Sequence, residues 1–151
     1  MTSALLKRRN LPLLLLQAQD ALMAEFRPVL NRHGLTDPQW RVLRALLAYT
    51  ELEPWQLCEH AWIGSPSMPG ILSRMEQTGL LERRIVESDQ RRRLISMTAK
   101  GRRTVIAAAA DIEQSYIHFE RRIGKATMQR AYEAMDEFLG KVDLPVAGTE
   151  K

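Results

Sequence analysis

Between Gly79 and Thr98 the hydrophobic period changes twice, and no other feature of the chain narrows its possible folds as much. On either side, apolar residues return every three or four positions, as in helices that pack by one face. Inside the stretch, Leu80 to Val86 and Leu94 to Met97 read as two short strands. The polar Glu87-Ser88-Asp89-Gln90 and three adjacent arginines, Arg91, Arg92 and Arg93, join them. The expected element is a β-hairpin with a basic tip, set into an otherwise helical chain. Arginines in that position are held on a scaffold rather than left on a tail.

The helices are marked by their ends as much as by their period. Leu11, Leu15, Ala18, Leu22, Phe26 and Leu30 outline a long amphipathic helix closing near His33-Gly34. Thr36 with Gln39 three residues on is a capping-box pattern, predicting a second helix through about Tyr49. Pro54 suits a first helical position and opens a short third helix through about Ala61. Trp62-Ile63-Gly64 reads as a tight turn; Ser65 then caps a fourth helix, with Pro66 at its first position and Gly79 at its end. Past the hairpin, Thr98 caps a long helix carrying Val105, Ala108, Ile112, Tyr116 and Phe119. After Gly124 a last helix carries Met128, Ala131, Tyr132, Met135, Phe138 and Leu139, and the residues from about 144 to 151 are expected to fray.

A short helix, a three-residue turn with Gly, a longer helix and then a basic hairpin are the ordered parts of a winged helix-turn-helix. The expected fold is mainly α with a small β-hairpin wing. Residues 35–98 form the winged helix-turn-helix, flanked by a helical dimerisation region from 10–34 and 99–143. In such a module the second helix of the pair lies in the DNA major groove, and a wing beside it reaches phosphates or the narrow minor groove. Charge agrees with this. Of the net +4 of 151 residues, the segment from Glu82 to Arg103 holds eight basic and three acidic side chains, so the rest of the chain sums to −1 and the basicity is a patch.

Composition removes other classes. A single cysteine, Cys58, leaves no internal disulfide or cysteine metal cluster and points to the cytoplasm. Lys7-Arg8-Arg9 before Leu11 to Leu16 imitates a secretory signal, but the apolar run is short and breaks at Gln17, Gln19 and Asp20. No apolar stretch approaches a membrane span. His33, His60 and His118 are too dispersed for a zinc site, and no nucleophile, phosphate-loop or dinucleotide motif appears, so neither a cofactor nor an enzyme is expected. Cys58, among Trp55, Leu57 and Ala61, reads as a buried core residue.

The segments Gly79-Leu80-Leu81-Glu82-Arg83, Asp89-Gln90-Arg91-Arg92-Arg93-Leu94-Ile95-Ser96-Met97-Thr98 and Gly101 together resemble the signature of MarR-family transcriptional regulators. Phe26-Arg27-Pro28, Arg32-His33-Gly34-Leu35-Thr36, Gln39-Trp40-Arg41 and Pro66-Ser67 through Glu76 are similar to regulators of aromatic-acid degradation within that family. The resemblance spans nearly the whole chain. It implies that Arg91 is the wing arginine and that Asp89 fixes the wing turn; Arg92 and Arg93, on opposite faces of an extended chain, could not both share the role. On the recognition helix Met68, Ile71, Leu72 and Met75 form the inward stripe. Ser65, Ser67, Pro69, Gly70, Ser73, Arg74 and Gln77 remain for DNA, and Met68, at the start of the helix, is counted among the DNA-contacting positions as well. Pro69 and Gly70 stand where many relatives carry polar or basic residues, which shifts readout towards Ser67, Arg74 and DNA shape.

The apolar stripes of the terminal helices are too broad for a module of about 60 residues to cover, so a homodimer on a pseudo-palindromic operator is expected. A small aromatic acid would act as effector by favouring a spacing of the two modules that does not match the operator. The expected effector residues are Arg27, His33, Trp40, Arg41 and Arg44: guanidinium groups for a carboxylate, a flat ring for stacking and polar atoms for hydroxyls. Two other readings fit the same elements, an architectural DNA binder without effector and a helical module that holds another protein. Salt-dependent, sequence-selective DNA binding separates either DNA reading from the last.

Overall fold

The computed structural model describes residues 7–144. Its elements follow in the order α1 (Leu11–Arg32), α2 (Asp37–Tyr49), β1 (Glu51–Leu52), α3 (Pro54–His60), α4 (Met68–Gln77), β2 (Leu81–Val86), β3 (Asp89–Met97), α5 (Ala99–Ile123) and α6 (Lys125–Lys141). No described helix is long and apolar enough to cross a membrane. Of the stretch expected to fray, everything past Leu144 lies outside the described residues.

The helix ends obey the local chemistry expected of them. Asn10 caps α1 by accepting from the Leu13 amide at 3.1 Å. Thr36 and Gln39 close both halves of the capping box on α2, and Thr98 accepts from the Gly101 amide at 3.0 Å to open α5. These contacts satisfy amides that the first helical turn would otherwise leave open. One start differs from expectation. The fourth helix begins at Met68 with Ser67 as its cap, two residues later than the expected start with Ser65 as cap. Proline is the cause: Pro69 has no N–H to donate to the Ser65 carbonyl. The Ser67 amide instead bonds the Gly64 carbonyl at 3.0 Å in a separate turn, and Ile71 to Ser67 carries the helix onward.

The hairpin is present, with a tighter tip and a longer second strand than expected. β2 and β3 pair antiparallel from Leu81↔Met97 to Ile85↔Arg93, then shift so that Val86 faces Asp89. The turn is therefore Glu87-Ser88, the three arginines belong to β3, and the bulge leaves Gln90, Arg91 and Arg92 without Cα partners on β2. A third strand went unforeseen: β1 pairs with β3 through Glu51↔Ser96 and Leu52↔Ile95, giving the sheet order β1-β3-β2.

One core unites α1 to α5 and the sheet. Val42, Leu43, Leu46, Leu57, Met75, Ile95, Val105 and Ala108 are fully buried in it, with Phe26 and Leu30 of α1 and Ile112 of α5. Cys58 packs against this core but is only partly buried, contrary to expectation, because its short helix lies at the surface. The base of the wing is locked to α5. A Cβ on Gly101 would lie 2.1 Å from the Leu80 carbonyl oxygen, so only glycine allows the close approach. Around it, the Thr98 amide donates to Leu80 O at 3.1 Å and Lys100 Nζ donates to Thr78 O at 2.7 Å.

Candidate DNA interface and effector cleft

The exposed face of α4 carries the residues expected there. Pro69, Gly70, Ser73, Arg74 and Gln77 are exposed, as are Ser65 and Ser67 in the preceding turn. Leu72 and Met75 are buried and Ile71 is half-buried against the core. Met68 is also buried, at 1% exposure, so it supports α4 from inside and is not on the DNA-facing side. Its place in the helical period, three and four residues before Ile71 and Leu72, carries that signal. Ser67 makes no side-chain cap bond, which leaves its hydroxyl free. Ser67, Gly70, Ile71 and Arg74 line one side of a shallow groove, with Thr36 and Gln39 of the α2 start on the other. The Arg74 guanidinium has no hydrogen bond or ion pair among the described residues, so α4 presents small polar groups and one unengaged cation.

On the wing the three arginines have three different surroundings. Asp89 accepts from the Arg91 amide at 3.0 Å, which fixes the turn and leaves the Arg91 guanidinium unengaged among the described residues. Arg92 is tied back: its Nε donates to Glu53 at 2.9 Å, and that bond holds its pKa above the ordinary arginine value. Arg93 curls onto the carbonyls of Gln90 and Arg92. Lower on the hairpin, Arg84 pairs with Glu51 at 2.9 Å and Arg83 with Glu76 at 2.7 Å. The wing's charge is thus largely spent on the module itself, and Arg91 is the arginine of the triplet left to project. Glu51 and Glu53 were missed from sequence because the strand that places them has only two residues.

The five residues expected to hold an effector do not converge on one point. Arg27 lines an open cleft of about 220 Å³ with Leu16, Gln19, Asp20, Met23 and Asp37, where α1 meets the start of α2. Trp40 is buried, and the Arg44 guanidinium lies 5.9 Å from its ring centroid. Tyr116 of α5 packs its ring 4.5 Å from that of Phe26, within electrostatic reach of Arg44. Burial raises the Tyr116 phenol pKa, and Arg44 partly opposes the shift. Tyr116 was read from sequence only as part of a core stripe, yet it brings a phenol to the junction of α1, α2 and α5. His33 instead bonds Asp111 of α5 through Nε2 at 2.7 Å. Arg41 is committed elsewhere: Nη1 donates to the carbonyls of Ala61 and Trp62, each at 2.8 Å, and Nη2 pairs with Asp37 at 3.1 Å. The two carbonyls lie 20 and 21 residues away, beyond any local pattern.

Comparison with known proteins gives the same picture. Residues 33–92 match the model of the MarR family. The homoprotocatechuate degradative operon repressor of Escherichia coli is 38% identical over 130 residues, covering 86% of this chain and 88% of that protein. Among solved structures, the transcriptional regulator PA4135 superposes with a TM-score of 0.80 at 40% identity, covering 87% of this chain and 96% of that one. NadR in complex with 4-hydroxyphenylacetate superposes at 0.72 with 34% identity, covering 88% and 94%. With its helix-turn-helix, its bulged basic hairpin and relatives matched along most of their length, this chain belongs to the MarR family of transcriptional regulators.

Proposed function

We propose that this chain is a homodimeric, sequence-specific DNA-binding repressor, working in the cytoplasm and released from its operator by a small aromatic acid. The observation that carries the reading is the pairing of two unengaged guanidiniums, Arg74 on the recognition helix and Arg91 at the wing tip, on a module whose other wing arginines are bonded to groups of the module itself. Two separated cations suit simultaneous contact with major-groove and minor-groove edges of a duplex. DNA contact is assigned to Ser65, Ser67, Pro69, Gly70, Ser73, Arg74 and Arg91, with Asp89 fixing the turn; Arg92 and Arg93 would have to leave their present partners to join.

The division of labour follows exposure. Residues 35–98 form the DNA-binding module, and 10–34 with 99–143 the dimerisation region. Leu11, Leu13 and Leu16 of α1 and Tyr132, Met135 and Phe138 of α6 are exposed in one chain and would be covered by a second copy. Effector contact is assigned to Arg27, Trp40 and Arg44, with Tyr116 added. The cleft beside Arg27 is smaller than the roughly 300–1,000 Å³ of ordinary ligand pockets, which suits a site that a second chain helps to close. A relative that represses homoprotocatechuate degradation, and another solved with 4-hydroxyphenylacetate, make hydroxylated phenylacetates the effectors to try.

The test is binding to the DNA upstream of the chain's own gene, followed by fluorescence anisotropy and titrated with 4-hydroxyphenylacetate and 3,4-dihydroxyphenylacetate. Release by either is the expected outcome, with Arg27→Ala and Arg44→Ala losing release while DNA affinity stays within about tenfold, about 1.4 kcal/mol. Selective binding that neither acid nor a wider panel of phenolic acids disturbs would leave an effector-independent DNA binder instead.

A further inference from the structure

Trp62 combines three features that the folding of one chain does not require together. Its backbone is left-handed, φ +51°, a region that bulky residues rarely adopt. Its side chain is 66% exposed, in the turn that leads into the recognition helix. Its indole Nε1–H has no acceptor among the described residues, whereas the similarly exposed Trp55 donates to Glu53 at 3.2 Å. The unusual backbone is fastened in place. Arg41 Nη1 donates to the carbonyls of both Ala61 and Trp62, and Asp37 holds the same guanidinium from the other side. The Arg41 Nε is buried without a partner, so the group is placed for these carbonyls at the expense of one of its own donors.

The surroundings indicate what the ring faces. From Ala61 to Ser67 the turn carries no acidic side chain, and from there to Arg74 every exposed residue of α4 is small or lacks a long donor. The leading end of the recognition helix therefore has no cation of its own. In helix-turn-helix docking that end approaches the duplex most closely, and hydrogen bonds to phosphates fix the register. An indole supplies a donor-only N–H and a flat apolar face, a combination suited to a phosphate oxygen and the adjoining deoxyribose.

We propose that Trp62 is a DNA-backbone contact, donating its Nε1–H to a phosphate oxygen at the edge of the groove that receives α4, and that Arg41 is the positioning residue that holds it there. The inference rests on the DNA-binding reading above. Its test uses the full-length protein and the operator duplex at matched salt. Trp62→Ala is expected to weaken binding by about tenfold or more and Trp62→Phe by less, as for loss of a hydrogen bond to a charged acceptor. The slope of log affinity against log salt should not change, because a neutral donor releases no counterion. Trp55→Phe should bind like the parent protein. Replacing single phosphates of the half-site by methylphosphonates should reveal one position that weakens the parent but not Trp62→Phe. Arg41→Lys, unable to span both carbonyls, should weaken the parent protein but add nothing in the Trp62→Ala background. Parent-like affinity of Trp62→Ala and Trp62→Phe, while Arg91→Ala still weakens binding, overturns this proposal alone. Absence of selective, salt-dependent binding by the parent protein overturns the DNA-binding reading and this proposal with it. Should Trp62→Ala fail to fold, Trp62→Phe and the methylphosphonate series decide.

Discussion

The winged module and the helical ends of this chain solve the problem of apolar surface in opposite ways. Within the module the apolar stripes meet one another, and Leu43, Leu57, Met75 and Ile95 are shielded completely within one chain. In α6 only Met128 is buried, and the first half of α1 buries nothing. Amphipathic helices left open over several turns mark surfaces whose partner is not in the same chain. The module is a finished unit by the standard of packing, and the ends are half of one.

The comparison can be broken first where its stakes are highest. Placing two carboxylates in the open stripe, Tyr132→Glu with Phe138→Glu, should leave the module folded but convert the protein to a monomer. Burying an unpaired charge costs several kcal/mol, so the dimer dissociation constant should rise at least about 100-fold. Sedimentation equilibrium reads this, and a dimer of undiminished strength would show that α6 does not make the interface. Where the module is joined to α5 the reverse sensitivity is expected. Gly101→Ala forces a Cβ against the Leu80 carbonyl and should cost about 1–3 kcal/mol of stability, seen as a lower urea midpoint with an unchanged slope. Stability equal to that of the parent would mean that the approach of α5 to the wing base is not tight.

The smallest effects sharpen the contrast within the wing. Arg91→Ala should weaken operator binding by about 1–3 kcal/mol, and Arg92→Ala by less, because the Arg92 guanidinium is already held by Glu53 while that of Arg91 projects. Equal losses at the two positions would show that DNA displaces Glu53 from Arg92.

What could be read from the sequence depended on range. Helix starts set by neighbours three residues apart, Thr36 with Gln39 and Thr98 with Gly101, were legible because the side chain and its amide partner sit in one short segment. The hairpin was legible from the change of period, but the bulge that leaves Arg91 and Arg92 without register partners depends on which residue each strand finds opposite. β1 is too short to show alternation, and so the tying of Arg84 to Glu51 and of Arg92 to Glu53 was invisible. The same range effect divides the residues expected to hold an effector: grouped by nearness in sequence, they are drawn in the fold to Asp111, the carbonyls before α4 and the Trp40 ring.

The lock between Gly101 and Leu80 also has a mechanical side. It makes the wing base and the start of α5 one solid corner, so the wing cannot swing without carrying the long helix with it. With 25 residues, α5 is a lever about 37 Å long, and a pivot of about 5° at one end sweeps the other through roughly 3 Å. In the proposed dimer, each chain then works as one arm of a caliper, and a sweep of that size is comparable to the 3.4 Å rise of a single base pair. A ligand needs only to tilt the arm slightly for both jaws to fall out of step with the helical repeat of the DNA.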